Sequence, residues 1–250
     1  MRKLYITLFL LLTVHISAEK VLLKGGLVHS ANGKTATIQD ILISDNTIIG
    51  LGNNLIIDGN TRVIEVNGLP VTPGLISPMS NLGIVEINAL DVTRDDESDL
   101  LSAGFSIFNA FNPHSTVIPW NRSNGVTSAI STPSPSSFPI FGLGSSFVLD
   151  GSLKIKGSKD IAMFGRLGSS YGSRAETLSI LESLLEIGRK VNSTTIEDIL
   201  EMSLVDQLEL QSQDIIALGK VVNDGLPFVL ETNRAVDILQ ALALKEKYGL

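Results

Sequence analysis

The chain has 250 residues, enough for one large domain or for a small domain and part of a larger one. Hydrophobic residues make up 44% and charged residues 18%, which excludes a disordered chain. The formal net charge of −7, with no Lys/Arg cluster, excludes the electrostatic footprint of a nucleic-acid binder, and the absence of cysteine excludes disulfides, thiolate metal sites and a Cys nucleophile.

The chain opens "MRKLYITLFLLLTVHISAEK". Arg2 and Lys3 precede an apolar run from Leu4 to Val14, and Ile16 and Ala18 stand at the −3 and −1 positions of a cleavage site. The run suits a signal-peptide core and is short for a bilayer span, so residues 1–18 read as a signal peptide. The mature protein is then exported, to a periplasm or out of the cell, with no stable membrane anchor. An uncleaved anchor is the alternative.

Residues 19–72 read as a small N-terminal β-domain. "VLLKGGLVHS", "ATIQDILIS", "DNTIIGLG" and "TRVIEVNG" are short β-rich runs. They are separated by turn pairs, Asp45-Asn46 and Asn67-Gly68 among them, which argues a small β-sheet or sandwich.

From Pro73 the pattern changes. "GLIS" and "GVTSAIS" read as buried strands, and residues 131–152, rich in Pro, Ser and Gly, as a long loop. From Ser173 the spacing of Leu178, Leu181, Leu185 and Ile187 predicts a helix. Ile196, Ile199, Leu200 and Leu204 predict a second, with Ser193 and Thr194 as caps. Ile215, Ile216 and Leu218 belong to a third that ends near Asp224-Gly225. "LPFVLET" follows as a strand, and Arg234 to Tyr248 as a last helix. Alternating strands and helices predict parallel βα units. The fold class is α/β: an incomplete TIM-type (β/α) barrel over residues 73–250, preceded by a β-sandwich-like domain. Such a barrel needs eight strands over roughly 200 to 400 residues, and only about three are readable. The expectation is a truncated barrel whose remaining half is missing from this chain.

"VIEVNGLPVTPGLI" is the stretch that carries a resemblance. Together with "VLLKGGLVHSANGKTATIQDILISDNTIIGLGNNL" before it and "AFNPHSTVIPWNRSNGVTSAISTPS" after it, the layout resembles the amidohydrolase superfamily, in particular its imidazolonepropionase-like branch. The resemblance implies a hydrolase of non-peptide C–N bonds. In it a divalent metal such as Zn, at the C-terminal face of the barrel, activates a water. In the family an Asp-x-His-x-His motif follows Pro-Gly-Leu-Ile, and the two imidazoles share one side of a strand.

The matching positions here are Ser77, Met79 and Asn81. A later family His matches Glu231 in "LETNR", with Asn233 following on the same side. Thioether and amide are poor ligands for Zn. No cofactor is predicted, and the pocket positions matching family ligands are Met79, Asn81 and Glu231, with Ser77, Asn233 and His114 as neighbours. His29 reads as a polar residue of the opening β-domain. Glu86, Asp91, Asp95, Asp96 and Glu97 read as a solvated acidic loop, with a hard oxygen site for Ca or Mg as the alternative. Ser77 and Ser80 have no identifiable base beside them. The functional expectation is a catalytically silent, exported binding or scaffold homologue with a small-molecule ligand at the barrel mouth. An active amidohydrolase completed by residues beyond this chain, and a fragment without function, are the alternatives.

Overall fold

A computed structural model describes residues 19–30, 33, 35–168 and 172–250. The predicted signal peptide, residues 1–18, lies outside the described residues. Among the described residues no helix is long and apolar enough to cross a membrane. The chain divides into two compact units, Met1–Pro73 and Gly74–Leu250.

The first unit holds β1 (Lys20–Val28), β2 (Thr37–Ser44), β3 (Thr47–Gly52), β4 (Arg62–Glu65) and β5 (Pro70–Val71). Asp45 and Asn46 both take positive φ, 48° and 63°, as a two-residue hairpin turn with the twist of its flanking strands requires. β1 bulges between Leu23 and Gly26, where the Gly25 N–H donates to Asp40 Oδ1 at 2.8 Å. The strands form a single sheet in the order β3-β2-β1-β4, with β5 also on β1. Among the described residues there is no second sheet facing it, so the sandwich expected from the turn spacing is one sheet. β4 and β5 return to pair in parallel along β1 instead of stacking over it.

The second unit is mixed α/β around a curled, half-barrel sheet of β6 (Leu75–Ser80), β7 (Val126–Ser131), β8 (Ile140–Val148), β9 (Gly157–Leu167) and β10 (Phe228–Thr232). β6 with β7 and β9 with β10 are parallel pairs, but β8 runs antiparallel to both its neighbours. Two expectations are corrected here. The stretch 131–152 is not one long loop, because it contains β8. Nor is the sheet built wholly of parallel βα units, since β7, β8 and β9 form a meander. The Gly-Ser composition of β8 hides a buried strand: a Cβ on Gly144 would overlap the Phe164 ring of β9.

Helices α1 (Val117–Ser123), α2 (Arg174–Lys190), α3 (Ile196–Leu200), α4 (Ser203–Gln207), α5 (Ser212–Asn223) and α6 (Ala235–Tyr248) connect or follow the strands. Ser173 caps α2 in a reciprocal box with Glu176. The cap of α3 is Thr195, not Ser193 or Thr194, because its hydroxyl accepts from the Asp198 N–H. Leu204, expected in the same helix as Ile196, belongs to α4.

The largest core joins Leu181, Leu184 and Leu185 of α2 to Ile215 and Leu218 of α5 and Met163 of β9. Each fully buried aliphatic side chain contributes roughly 1.5–3 kcal/mol of transfer free energy. On the opposite face of the sheet a small cluster of Phe141, Ala162 and Phe164 packs with Val229. That second face carries the site.

Candidate functional site at the strand ends

The period-two rule would put Ser77, Met79 and Asn81 on one side of β6. The backbone departs from it. Ser77 pairs with Ala129 and Ser80 with Ser131, so three steps on β6 match two on β7, a bulge. The cause is local: Pro78 has no N–H for the ladder. Met79 takes φ 49°, a left-handed conformation uncommon for a side-chain-bearing residue. Met79 and Asn81 thereby line one cavity, and Ser77 is not part of its wall.

Asn81 is held by a buried polar cluster. Its Nδ2 donates to Asp96 Oδ2 at 2.8 Å and to Ser134 Oγ at 3.2 Å. Ser134 Oγ also donates to Asp96, and Arg94 Nε reaches Asp96 Oδ1 at 3.3 Å. Asp96 is 0% exposed, so this carboxylate needs its donors, and it holds the Arg94 guanidinium above its usual pKa. Arg94 Nη2 also contacts Glu97 Oε1 at 2.5 Å. A carboxylate only accepts, so the nitrogen of the Asn81 amide must face Asp96.

Glu231 reaches the same cavity from β10. Parallel pairing sets Glu231 opposite Arg166 and Val229 opposite Phe164. Alternation then places Glu231 and Arg166 on the sheet face of Phe164 and Val229. Arg166 Nε and Nη2 donate to Glu231 Oε2 at 2.9 and 2.7 Å, and the guanidinium lies 5.5 Å from the Phe141 ring centroid. Nothing in the local sequence signals this cross-strand pair except a lone charge in the apolar run "AMFGRLG".

The cavity has a volume of about 130 Å³. Met79, Asn81, Thr132, Phe141, Phe164 and Glu231 carry its walls, closed by Pro133 and Pro135. The three positions matched to family ligands thus come together at the C-terminal ends of β6 and β10. The expected neighbours do not join them. Asn233 is exposed beyond β10, and His114 is exposed in the loop before α1, its backbone N–H bound to Asn112 Oδ1 at 3.0 Å. His29 follows β1 directly, its N–H on Val71 O. Thr132, Pro133, Pro135, Phe141 and Phe164 are wall residues that sequence reasoning missed, Thr132 being the polar one.

The side chains present do not fit a hydrolytic metal. The Asn81 nitrogen is committed to Asp96, one Glu231 oxygen is committed to Arg166, and Met79 offers a soft thioether. Among the described residues no three His, Asp or Glu side chains are grouped to hold a metal ion. The acidic loop is instead bound by protein donors, with Asn112 and Thr116 on Glu86 and Arg94 on Asp96 and Glu97.

No family model matches the sequence. The structure is similar to a solved amidohydrolase from Thermotoga maritima MSB8, with a TM-score of 0.72 and 20% identity, over 92% of this chain and 62% of that one. The chain therefore has an amidohydrolase-like fold, and it spans about 62% of the length of the structure it matches.

Proposed function

We propose that this chain is a catalytically silent relative of the imidazolonepropionase-like amidohydrolases, exported and using the mouth of its half-barrel as a small-molecule binding pocket. The observation that carries the reading is the convergence of Met79, Asn81 and Glu231 on one cavity. These are the positions where the resemblance implies metal ligands, and each is a weak or an engaged donor. An enzyme of this kind needs an open metal position and an activated water. A thioether, an amide held by Asp96 and a carboxylate held by Arg166 supply neither.

On this reading the open edges of β6 and β10 are met by further strands, on this polypeptide or another. Val236, Ile238, Leu239 and Leu242 on α6 are exposed apolar residues that such a neighbour would cover.

The test is metal analysis of protein purified with added Zn²⁺, Fe²⁺ or Mn²⁺, alongside hydrolysis assays on cyclic amides. Metal at well below one ion per chain after dialysis, with no hydrolysis, is the expected result. A stoichiometric ion that survives dialysis overturns the reading. A second reading, an active amidohydrolase whose site is completed beyond this chain, draws on the 62% span of the match. It predicts that a longer polypeptide carrying the rest of the barrel gains both metal and hydrolysis.

A further inference from the structure

We infer that the cavity walled by Met79, Asn81, Thr132 and Glu231 takes a small organic ammonium ion, its nitrogen between Glu231 and Asn81 and its carbon chain against Met79 and Phe164. The inference rests on the binding-pocket reading and adds the class of ligand.

The hydrogen-bonding capacity left over at the cavity decides the class. Because Asn81 Nδ2 is taken by Asp96 and Ser134, only Asn81 Oδ1 remains, and among the described residues no donor meets it. Because Glu231 Oε2 takes both Arg166 bonds, Oε1 likewise has no donor among the described residues. Thr132 is 7% exposed and lines the cavity, and among the described residues its hydroxyl has no side-chain hydrogen bond. Two of these three groups can only accept, and the hydroxyl can do so as well. No Lys, Arg or His lines the cavity. A ligand that satisfies it must bring hydrogen-bond donors. Arg166 offsets the charge of Glu231 from the Oε2 side, and an ammonium group, which only donates, meets the open Oε1 with a charge-assisted bond that a carboxylate ligand cannot make.

The rest of the wall fits a short hydrocarbon. Met79 adapts to irregular apolar shapes, and Phe164, Pro133 and Pro135 present carbon. The volume of about 130 Å³ is close to the roughly 150 Å³ that admits benzene in an engineered cavity. That sets the guest at about six non-hydrogen atoms. Beside it, sharing Phe141, is a wider recess of about 470 Å³ that carries Glu97, Asp99 and Glu209 and no basic residue. Arg94 offsets Glu97, and the charge of Asp99 and Glu209 raises the local concentration of cations in that recess.

The probes are n-butylammonium, butyramide and butyrate, titrated at low salt into the full chain and followed by amide NMR shifts. Saturable shifts of the Asn81 side chain and Gly165 with n-butylammonium are expected. Glu231→Gln should weaken binding about tenfold or more, the loss of one charge-assisted hydrogen bond. Thr132→Val, which keeps the side-chain shape, should weaken it several-fold without disturbing resonances of α2 and α5. Binding of butyrate or butyramide at least as tight as that of n-butylammonium, or an unaffected Glu231→Gln, overturns the ligand class and leaves the pocket reading standing. No saturable shift from any of the three at tens of millimolar overturns both.

Discussion

Replacing Asp214 with alanine removes one carboxylate and strands three backbone N–H groups. Asp214 sits in the first turn of α5 and is 1% exposed. Oδ1 accepts from the Ser102 N–H at 2.9 Å and the Gly104 N–H at 2.8 Å, and Oδ2 accepts from the Gln211 N–H at 2.9 Å. The side chain therefore caps its own helix and fastens to it a loop more than 100 residues earlier in the chain. The contact is tight: a Cβ on Gly104 would stand 2.5 Å from the Gln213 carbonyl carbon. Ser102 and Gly104 are half-buried, so water repays part of each loss, and about 1 kcal/mol for each bond is a fair figure. Loss of the cap adds about 1 kcal/mol. The expected destabilisation is about 3 kcal/mol, a large share of the roughly 5–15 kcal/mol that holds a domain together. Urea unfolding followed by far-UV circular dichroism measures it. Asp214→Asn is the companion variant. Its oxygen still accepts from Ser102 and Gly104, while its –NH2 faces the Gln211 N–H, so about half the loss is expected. A loss below about 1 kcal/mol for Asp214→Ala, or equal losses for the two variants, would refute the assignment of these bonds.

Gly144→Ala places a methyl group in the Phe164 ring and should cost about 1–3 kcal/mol, read as a lowered Tm; an unchanged Tm would mean that β8 does not pack on β9 as described. In the first unit the Lys20 ammonium, 2.6 Å from Asp58, holds the Asp58 carboxyl below its ordinary 3.8. A depressed folded pKa contributes stability that is fully present above 3.8 and is lost as pH falls through the folded value. Asp58→Asn should therefore unfold slightly more easily than the parent near neutral pH and equally in strong acid, with high salt narrowing the difference. A gap that widens on acidification would contradict the pairing.

What the sequence disclosed is governed by how local each cause is. Asp45-Asn46 announces a hairpin because its turn needs two residues that tolerate positive φ, and both take it. α2 is legible from the spacing of Leu178, Leu181, Leu185 and Ile187 because that stripe lies within one helix, and the Ser173–Glu176 cap found at its start is equally local. β8 was not legible. Its glycines answer to distant parts of the chain, Gly142 to the Phe105 carbonyl and Gly144 to the Phe164 ring, and in sequence they read as loop. At the site, Met79, Asn81 and Glu231 could be singled out by resemblance alone. That Asn81 would be turned by Asp96, and Glu231 gripped by Arg166, depends on side-chain packing and strand register across 15 and 65 residues of separation. The Pro78 bulge set a further limit, since it suspends the alternation that sequence reading assumes.

The short passage between β7 and β8 has a consequence for how this protein can change over time. Thr132, Pro133 and Pro135 face the small cavity, while Ser134, Ser136 and Phe138 face the wider recess. One stretch of chain is therefore a partition with two furnished sides. A substitution that reshapes one chamber moves the backbone that shapes the other. Drift in this segment must satisfy both chambers at once, so its natural variants should be fewer than its loop-like composition suggests.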